Sequence, residues 1–97
     1  MVNRIEALRA IVGEYEDERS LTASRLDKYE LRRGQLELAR ELLVEHGQKA
    51  AADSLNPQLH ELDHHVQASR AMLDRLDGLI AMYRSSLQRI EQSAKQP

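Results

Sequence analysis

One short segment of this chain concentrates the side chains that could do chemistry. Residues 60–65 read His-Glu-Leu-Asp-His-His, so His60 and His64 are four positions apart and Glu61 follows the first. On a helix this spacing puts both imidazoles on one face, one turn apart, where they can bind a zinc ion together. A carboxylate beside such an ion can activate a bound water. His60 and His64 are therefore a candidate metal pair.

The pattern from His60 to His64 resembles the zinc-binding motif of the zincin metallopeptidases over five residues. The resemblance implies His60 and His64 as zinc ligands and Glu61 as the residue that activates water. Those enzymes also need a third protein ligand and a substrate cleft. In this chain Asp63 stands where they prefer an uncharged residue. We therefore expect no enzyme activity and retain only the metal pair as a hypothesis.

The same segment is similar to the start of the phospho-acceptor box of histidine-kinase dimerisation domains, which are helical hairpins that dimerise into four-helix bundles. The resemblance implies His60 as the acceptor. The box continues with Arg or Lys, Thr or Asn, and Pro, where this chain has Asp63, His64 and His65. A metal- or phosphate-responsive module that uses His60 and His64 is therefore an alternative hypothesis for the function.

A heptad in the second half of the chain must position these side chains. Apolar residues recur from Leu55 to Ala94 at alternating spacings of four and three residues. This spacing predicts one long helix whose apolar stripe is narrow enough to fit a single facing helix. Leu62 lies on the stripe, which places His60 and His64 on the solvated side.

Helix start and stop signals divide the chain into two helices and a connector. Residues 3–46 contain no Pro and are rich in good helix formers, with Asn3 as the N-cap and Gly47 as a left-handed C-cap. The connector spans residues 47–56 and contains an alanine-rich helical turn. Asn56 and Pro57 then predict the N-cap and first position of a second helix, over about residues 57–94.

The apolar stripes of the two helices are in phase if the chain folds back near Ala51. Tyr15 then faces Leu87, and Tyr29 faces Leu73. We therefore predict an all-α fold, in which residues 1–97 form a single domain: a long antiparallel helical hairpin, or coiled coil, that dimerises into a four-helix bundle. The predicted hairpin seam consists of Val12, Tyr15, Leu26, Tyr29, Leu36, Leu43, Leu59, Leu62, Val66, Leu73, Leu76, Ile80, Tyr83, Leu87 and Ile90.

Arginines interrupt the seam of the first helix at Arg19, Arg33 and Arg40. Burying an unpaired charge is costly, so these side chains are expected to lay their methylene groups along the seam and keep the guanidinium in water. Alternatively, they meet carboxylates from another chain. Flanking charges give a third expectation, in which Asp77 faces Arg25.

A second set of apolar residues lies off the seam and would be exposed in an isolated hairpin. A contiguous apolar row usually marks an interface. We expect this set to bind a protein partner or a second copy of the chain. A bent first helix, or a short helix from the connector, is the alternative cover. The predicted partner surface consists of Leu21, Leu31, Leu38, Leu42, Met72, Leu79 and Met82, and Ile11 is predicted to be exposed as well.

Composition limits the classes of function. Fourteen basic and sixteen acidic residues give a net charge of −2, which disfavours nucleic acid and anionic membranes as partners. The absence of Cys removes disulfides, thiolate metal sites and thiol catalysis. The first 21 residues carry Asp and Glu and no long apolar run, so we expect no signal peptide, no membrane partner and a cytoplasmic location.

These observations together favour a protein that works by binding helices. We expect a non-enzymatic protein–protein interaction module without a cofactor, acting as an adaptor, assembly chaperone, scaffold or inhibitor through its coiled-coil surfaces. A nucleic-acid-associated regulator is a second alternative, which the charge balance disfavours.

Overall fold

The fold is described by a computed structural model for residues 3–95. Helix α1 spans Arg4–Glu45, α2 spans Lys49–Asp53 and α3 spans Asn56–Lys95. No strand occurs in the described part of the chain. The predicted all-α helical hairpin is confirmed, with α1 and α3 as its two arms.

The start of α1 is capped as the sequence predicts. The side-chain Oδ1 of Asn3 accepts a hydrogen bond from the backbone N–H of Ile5 at 2.9 Å. The backbone oxygen of Asn3 accepts the N–H of Ala7 at 2.9 Å, which is the first bond of the helical ladder. Asn3 therefore satisfies a donor that a helix N-terminus would otherwise leave without a partner.

The end of α1 is a Schellman motif built on Gly47. This residue has φ of 72°, a conformation that glycine adopts without the steric cost of a Cβ. Its N–H donates to the oxygen of Val44 at 3.0 Å, and the N–H of Gln48 donates to the oxygen of Leu43 at 2.8 Å. The predicted cap at Gly47 is confirmed, and it reverses the chain.

The connector forms the short helix α2, as its alanines predict. Ala52 is completely buried (0% exposed), and the hydroxyl of Ser54 donates to the oxygen of Ala51 at 2.6 Å. The start of α3 differs from the prediction by one residue, because the N–H of Leu59 donates to the oxygen of Leu55. Leu55 thus takes the capping position predicted for Asn56, and Pro57 becomes the second helical residue, where a missing N–H again costs no intrahelical bond.

The chain packs as two compact units, each made from a segment of α1 and a segment of α3. Unit 1 consists of residues 3–22 and 72–95, and unit 2 consists of residues 23–71, including α2. The chain passes from unit 1 to unit 2 after residue 22, in α1, and returns to unit 1 after residue 71, in α3. Helix α1 runs through its boundary without a break.

Unit 1 has an apolar core formed by Val12, Leu76 and Ile80, all buried. The rings of Tyr15 and Tyr83 stack with centroids 5.7 Å apart and planes 14° apart. At its edge Arg9 Nη2 donates to Glu91 Oε1 at 2.8 Å, and Arg84 Nη2 donates to Glu16 Oε1 at 2.6 Å. Residue numbers rise along α1 as they fall along α3, so the helices of unit 1 are antiparallel.

Unit 2 has a core formed by Leu36, Ala52 and Val66, of which Val66 is only 1% exposed. The ring of Tyr29 stacks on the imidazole of His65, with centroids 4.8 Å apart and planes 13° apart. Burying a side chain of this size contributes about 1.5–3 kcal/mol, so a few such residues hold a thin unit together.

The pairing of the helices differs from the predicted one by about one helical turn. Tyr15 stacks on Tyr83, whereas the sequence predicts that it faces Leu87, four residues further along α3. The prediction placed a single reversal at Ala51, whereas the chain turns after α1 at Gly47, forms α2 and turns again before α3. In unit 1, Tyr15 and Arg19 each lie opposite an earlier position of α3 than predicted.

Candidate protein-interaction site

The predicted seam residues are occupied by packing inside the chain. All fifteen are buried or partly buried. In each unit, the most buried residues lie on the stripes of α1 and α3 that face each other. The seam is therefore filled by intramolecular contacts, and a surface for another protein must lie elsewhere.

Two of the three arginines at seam positions, Arg19 and Arg33, pair with carboxylates on the same chain, and both keep part of their side chain in contact with solvent. In unit 1, Arg19 Nε donates to Asp77 Oδ1, so Asp77 pairs with Arg19 and not with Arg25. In unit 2, Arg33 donates to Glu37 Oε1 and lies beside Asp63 Oδ1, both at 3.1 Å. In each unit a guanidinium at the edge of the seam reaches a carboxylate on the facing helix while it stays accessible to water.

These pairs shift the protonation of their partners. The hydrogen bond from Arg19 holds the pKa of the Asp77 carboxyl below its ordinary value of 3.8, and the same contact raises the pKa of Arg19. The hydrogen bond to Glu37, with the charge of Asp63, raises the pKa of Arg33. All five side chains are exposed or partly exposed, so these are surface ion pairs that fix geometry more than they add stability.

Unit 2 exposes a row of leucines on α1 that has no cover within the described residues. Leu31, Leu38 and Leu42 are 65%, 57% and 45% exposed. Spacings of seven and four residues put them on one face of the helix, and we call them the outer leucine row. Contiguous exposed apolar residues of this kind are typical of an interaction surface.

Unit 1 exposes a different apolar set on α3. Met72 and Met82 are exposed, and Leu79 between them is partly buried. We call these three residues the methionine patch. Leu21, on α1 of the same unit, is exposed as well.

Two residues predicted to be exposed are partly buried, Leu79 and Ile11. Leu79 directly precedes the buried Ile80, and Ile11 directly precedes the buried Val12. Each therefore borders the seam, where the facing helix of unit 1 covers part of its surface. The remaining six members of the predicted partner surface are exposed.

Two features were not predicted from the sequence, the exposure of Val44 and the stacking of His65. Val44 is 55% exposed on unit 2, but it lies only two positions from Leu42 and so points to another side of α1. Val44 belongs neither to the seam repeat nor to the outer leucine row, so the periodicity of the sequence could not have predicted its exposure. His65 stacks on Tyr29 of the facing helix, a contact that depends on the pairing of the helices. Its Nε2 also lies 3.7 Å from Oε1 of Glu61, one turn earlier on α3.

The candidate metal pair is present as two exposed imidazoles. The rings of His60 and His64 lie 6.1 Å apart with planes 20° apart. Among the described residues, no group of three or more His, Cys, Asp or Glu side chains is placed to hold a metal ion. Asp63, the nearest acid along the chain to His64, pairs with Arg33. His60 and His64 thus offer two ligands to a metal, half of a tetrahedral zinc shell.

Comparison with protein-family models, with curated proteins and with solved structures finds no match to this chain. Within the described residues, no helix combines the length and apolar character needed to cross a membrane.

Proposed function

We propose that this chain is a non-enzymatic protein–protein interaction module, which acts as an adaptor, assembly chaperone, scaffold or inhibitor. It binds amphipathic helices through the exposed apolar surfaces of its hairpin. The same surfaces are those through which we propose that it forms a homodimeric four-helix bundle.

The outer leucine row is the observation that carries this proposal. Its three leucines are about half exposed or more, although the seam residues on the same helix are covered by packing within the chain. Fully burying a leucine contributes about 1.5–3 kcal/mol, so covering three partly exposed ones contributes a substantial part of a binding free energy. Polar residues at these positions would give an equally good helix, since the seam alone holds the hairpin.

The methionine patch supports a second and more adaptable contact. Methionine is unbranched and repacks easily, which suits surfaces that accept more than one partner helix. Leucine has fewer accessible rotamers and favours one defined fit. Unit 1 therefore suits adaptable binding, and unit 2 suits a specific contact.

The test is quantitative co-purification of tagged wild-type protein from its host, followed by titration of the purified partner. We expect the partner to be lost in Leu38→Glu/Leu42→Glu or in Met72→Glu/Met82→Glu, because a charge buried in an apolar contact is costly. Val44→Glu is the matched control, since it places the same charge on an exposed apolar residue outside both surfaces. Equal binding of every partner, including the chain itself, by wild type and both double variants would rule the proposal out.

A second candidate function, metal-responsive regulation, is favoured by the exposed pair His60 and His64. Two imidazoles one turn apart on a helix can chelate a divalent cation after side-chain rotation. Calorimetry with zinc tests this, and His60→Ala/His64→Ala should remove the binding while His46→Ala leaves it. The absence of binding tighter than about 10 µM would leave the pair as an ordinary polar helix face.

A further inference from the structure

We propose that the outer leucine row binds a second copy of this chain, so that residues 28–45 of two α1 helices pack antiparallel about a twofold axis. This inference rests on the proposed function and adds to it the partner and the geometry. It also gives the leucines of unit 2 a different role from the methionine patch of unit 1.

The first support is the spacing of the exposed residues around the outer leucine row. Successive members are three, four, three, four and three positions apart, so the spacing reads the same in both directions. A helix with such a stripe meets a reversed copy of itself with every position in register. The stripe consists of Lys28, Leu31, Gln35, Leu38, Leu42 and Glu45, all exposed.

The second support is what each position meets in the antiparallel pairing. Leu31 packs against Leu42 of the second copy, and Gln35 packs against its Leu38. At both ends Lys28 meets Glu45 of the other copy. The twofold axis repeats each contact, so six leucines form the centre and two opposite-charge pairs close the ends.

The third support is that other arrangements of the same stripe are poorer. A parallel pairing places Lys28 against Lys28 and Glu45 against Glu45, and like charges repel. An antiparallel pairing shifted one heptad in one direction places Lys28 against Leu38. A shift in the other direction leaves Leu31 without a partner, because the position it would meet lies beyond the end of α1 at Glu45. Only the unshifted antiparallel pairing gives every leucine an uncharged partner and every charge an opposite one.

The charges at the ends of the stripe are available for this contact. Within the described part of the chain, neither Lys28 nor Glu45 takes part in an ion pair. By contrast, Arg70 and Glu30 beside the seam of unit 2 pair with each other inside the chain, at 2.7 Å. The end charges of the stripe thus match a partner that carries the same two residues in reverse order.

The first experiment is sedimentation equilibrium from about 1 µM to 1 mM, the range expected for a small interface of this kind. We expect the wild type to dimerise and Leu38→Glu/Leu42→Glu to raise the dissociation constant at least about 100-fold. Val44→Glu, which adds the same charge off the stripe, should leave dimerisation unchanged. Circular dichroism should show all variants to be as helical as the wild type.

A charge exchange then tests the direction of the pairing. Lys28→Glu alone and Glu45→Lys alone should each weaken the dimer about tenfold, because each puts like charges together at both ends. The double variant Lys28→Glu/Glu45→Lys should restore it, since opposite charges face each other again. In a parallel dimer, the double variant would restore nothing.

Single cysteines give an independent readout, because the chain has none of its own. An oxidised mixture of Leu31→Cys and Leu42→Cys proteins should form a disulfide between the two species. Each protein alone should form far less. Efficient cross-linking of Leu31→Cys with itself would show a parallel contact and overturn the inference.

The outcomes separate this inference from the proposed function. A chain that stays monomeric at 1 mM, or a dimer that Leu38→Glu/Leu42→Glu leaves intact, overturns the antiparallel contact; a domain-swapped dimer would behave in the second way. If the monomeric chain still loses another protein in that variant, the proposed function stands with a different occupant. If neither this variant nor Met72→Glu/Met82→Glu loses any partner, both fail.

Discussion

In unit 1 the aromatic pair at the seam is Tyr15 with Tyr83, whereas in unit 2 the equivalent stack joins Tyr29 to His65. Each unit also contains an arginine at a seam position that reaches an aspartate on α3. The two units therefore join α1 to α3 in the same way, with one ring stack and one ion pair beside a small apolar core.

The units differ on their outer faces. Unit 1 exposes methionines on α3, and unit 2 exposes leucines on α1. Because the two seams are alike, any difference between the units in what they bind would have to come from their outer faces. The apolar surface left uncovered in each unit therefore lies off the seam, and the proposed function assigns the adaptable contact to the methionines and the specific contact to the leucines.

Among the expected changes in the free energy of unfolding, the largest come from removing a core leucine from either unit. Leu76→Ala in unit 1 and Leu36→Ala in unit 2 should each lower the free energy of unfolding by about 2–5 kcal/mol, measured by urea unfolding. Leu21→Ala, an exposed control, should change it by less than about 0.5 kcal/mol. A loss below about 1 kcal/mol in only one unit would show that the two seams are not equivalent.

The two ring stacks can be compared by double-mutant cycles. Replacing Tyr15 and Tyr83 by Leu, singly and together, should give a coupling of about 0.5–1.5 kcal/mol. The same cycle on Tyr29 and His65 should give a coupling of at least this size, because the centroids of these two rings are closer together. Coupling in one unit and additivity in the other would break the proposed likeness of the seams.

Glycine-to-alanine substitutions compare how the interior of α1 and its C-terminal end contribute to stability. Gly13→Ala in unit 1 and Gly34→Ala in unit 2 should each raise the free energy of unfolding by about 0.5–1 kcal/mol, because a Cβ at either site meets nothing within 4 Å. Gly47→Ala should lower it by about 1 kcal/mol, because of the positive φ. Thermal unfolding measures all three, and stabilisation by Gly47→Ala would contradict the Schellman cap.

The smallest effect is a pH dependence in unit 1. The folded pKa of Asp77 lies below its unfolded value, so the ion pair with Arg19 stabilises the fold above the unfolded pKa near 3.8. That contribution is lost as the pH falls through the folded pKa. Carboxyl NMR should place the Asp77 titration midpoint below 3.8, and Arg19→Gln should move it upward. A midpoint unchanged by Arg19→Gln would remove the arginine as the cause.

Features that depend on neighbouring residues were predictable from the sequence. The cap at Asn3, the left-handed turn at Gly47 and the alanine turn of α2 all follow from chemistry within a few positions. The exposed leucines of unit 2 were predictable as well, because their spacing sets them apart from the seam on the same helix. Val44 was missed, since no period includes it.

Features that depend on which turn of α1 meets which turn of α3 were not predictable. Arg19 could have met several carboxylates, and Leu79 could have been fully exposed. The choice of Asp77 for Arg19, and the partial cover of Leu79, follow from the observed pairing.

Helical periodicity and capping chemistry are local, so an all-α hairpin, its caps and the separation of seam from outer face could all be predicted without the tertiary structure. The tertiary structure decided the register, the partners of the arginines and the stack of Tyr29 on His65. A heptad repeats along each helix, so registers one turn apart bury apolar residues almost equally well. Contacts between distant parts of the chain, such as the stack of Tyr15 on Tyr83 and the ion pair of Arg19 with Asp77, distinguish the observed register from the predicted one.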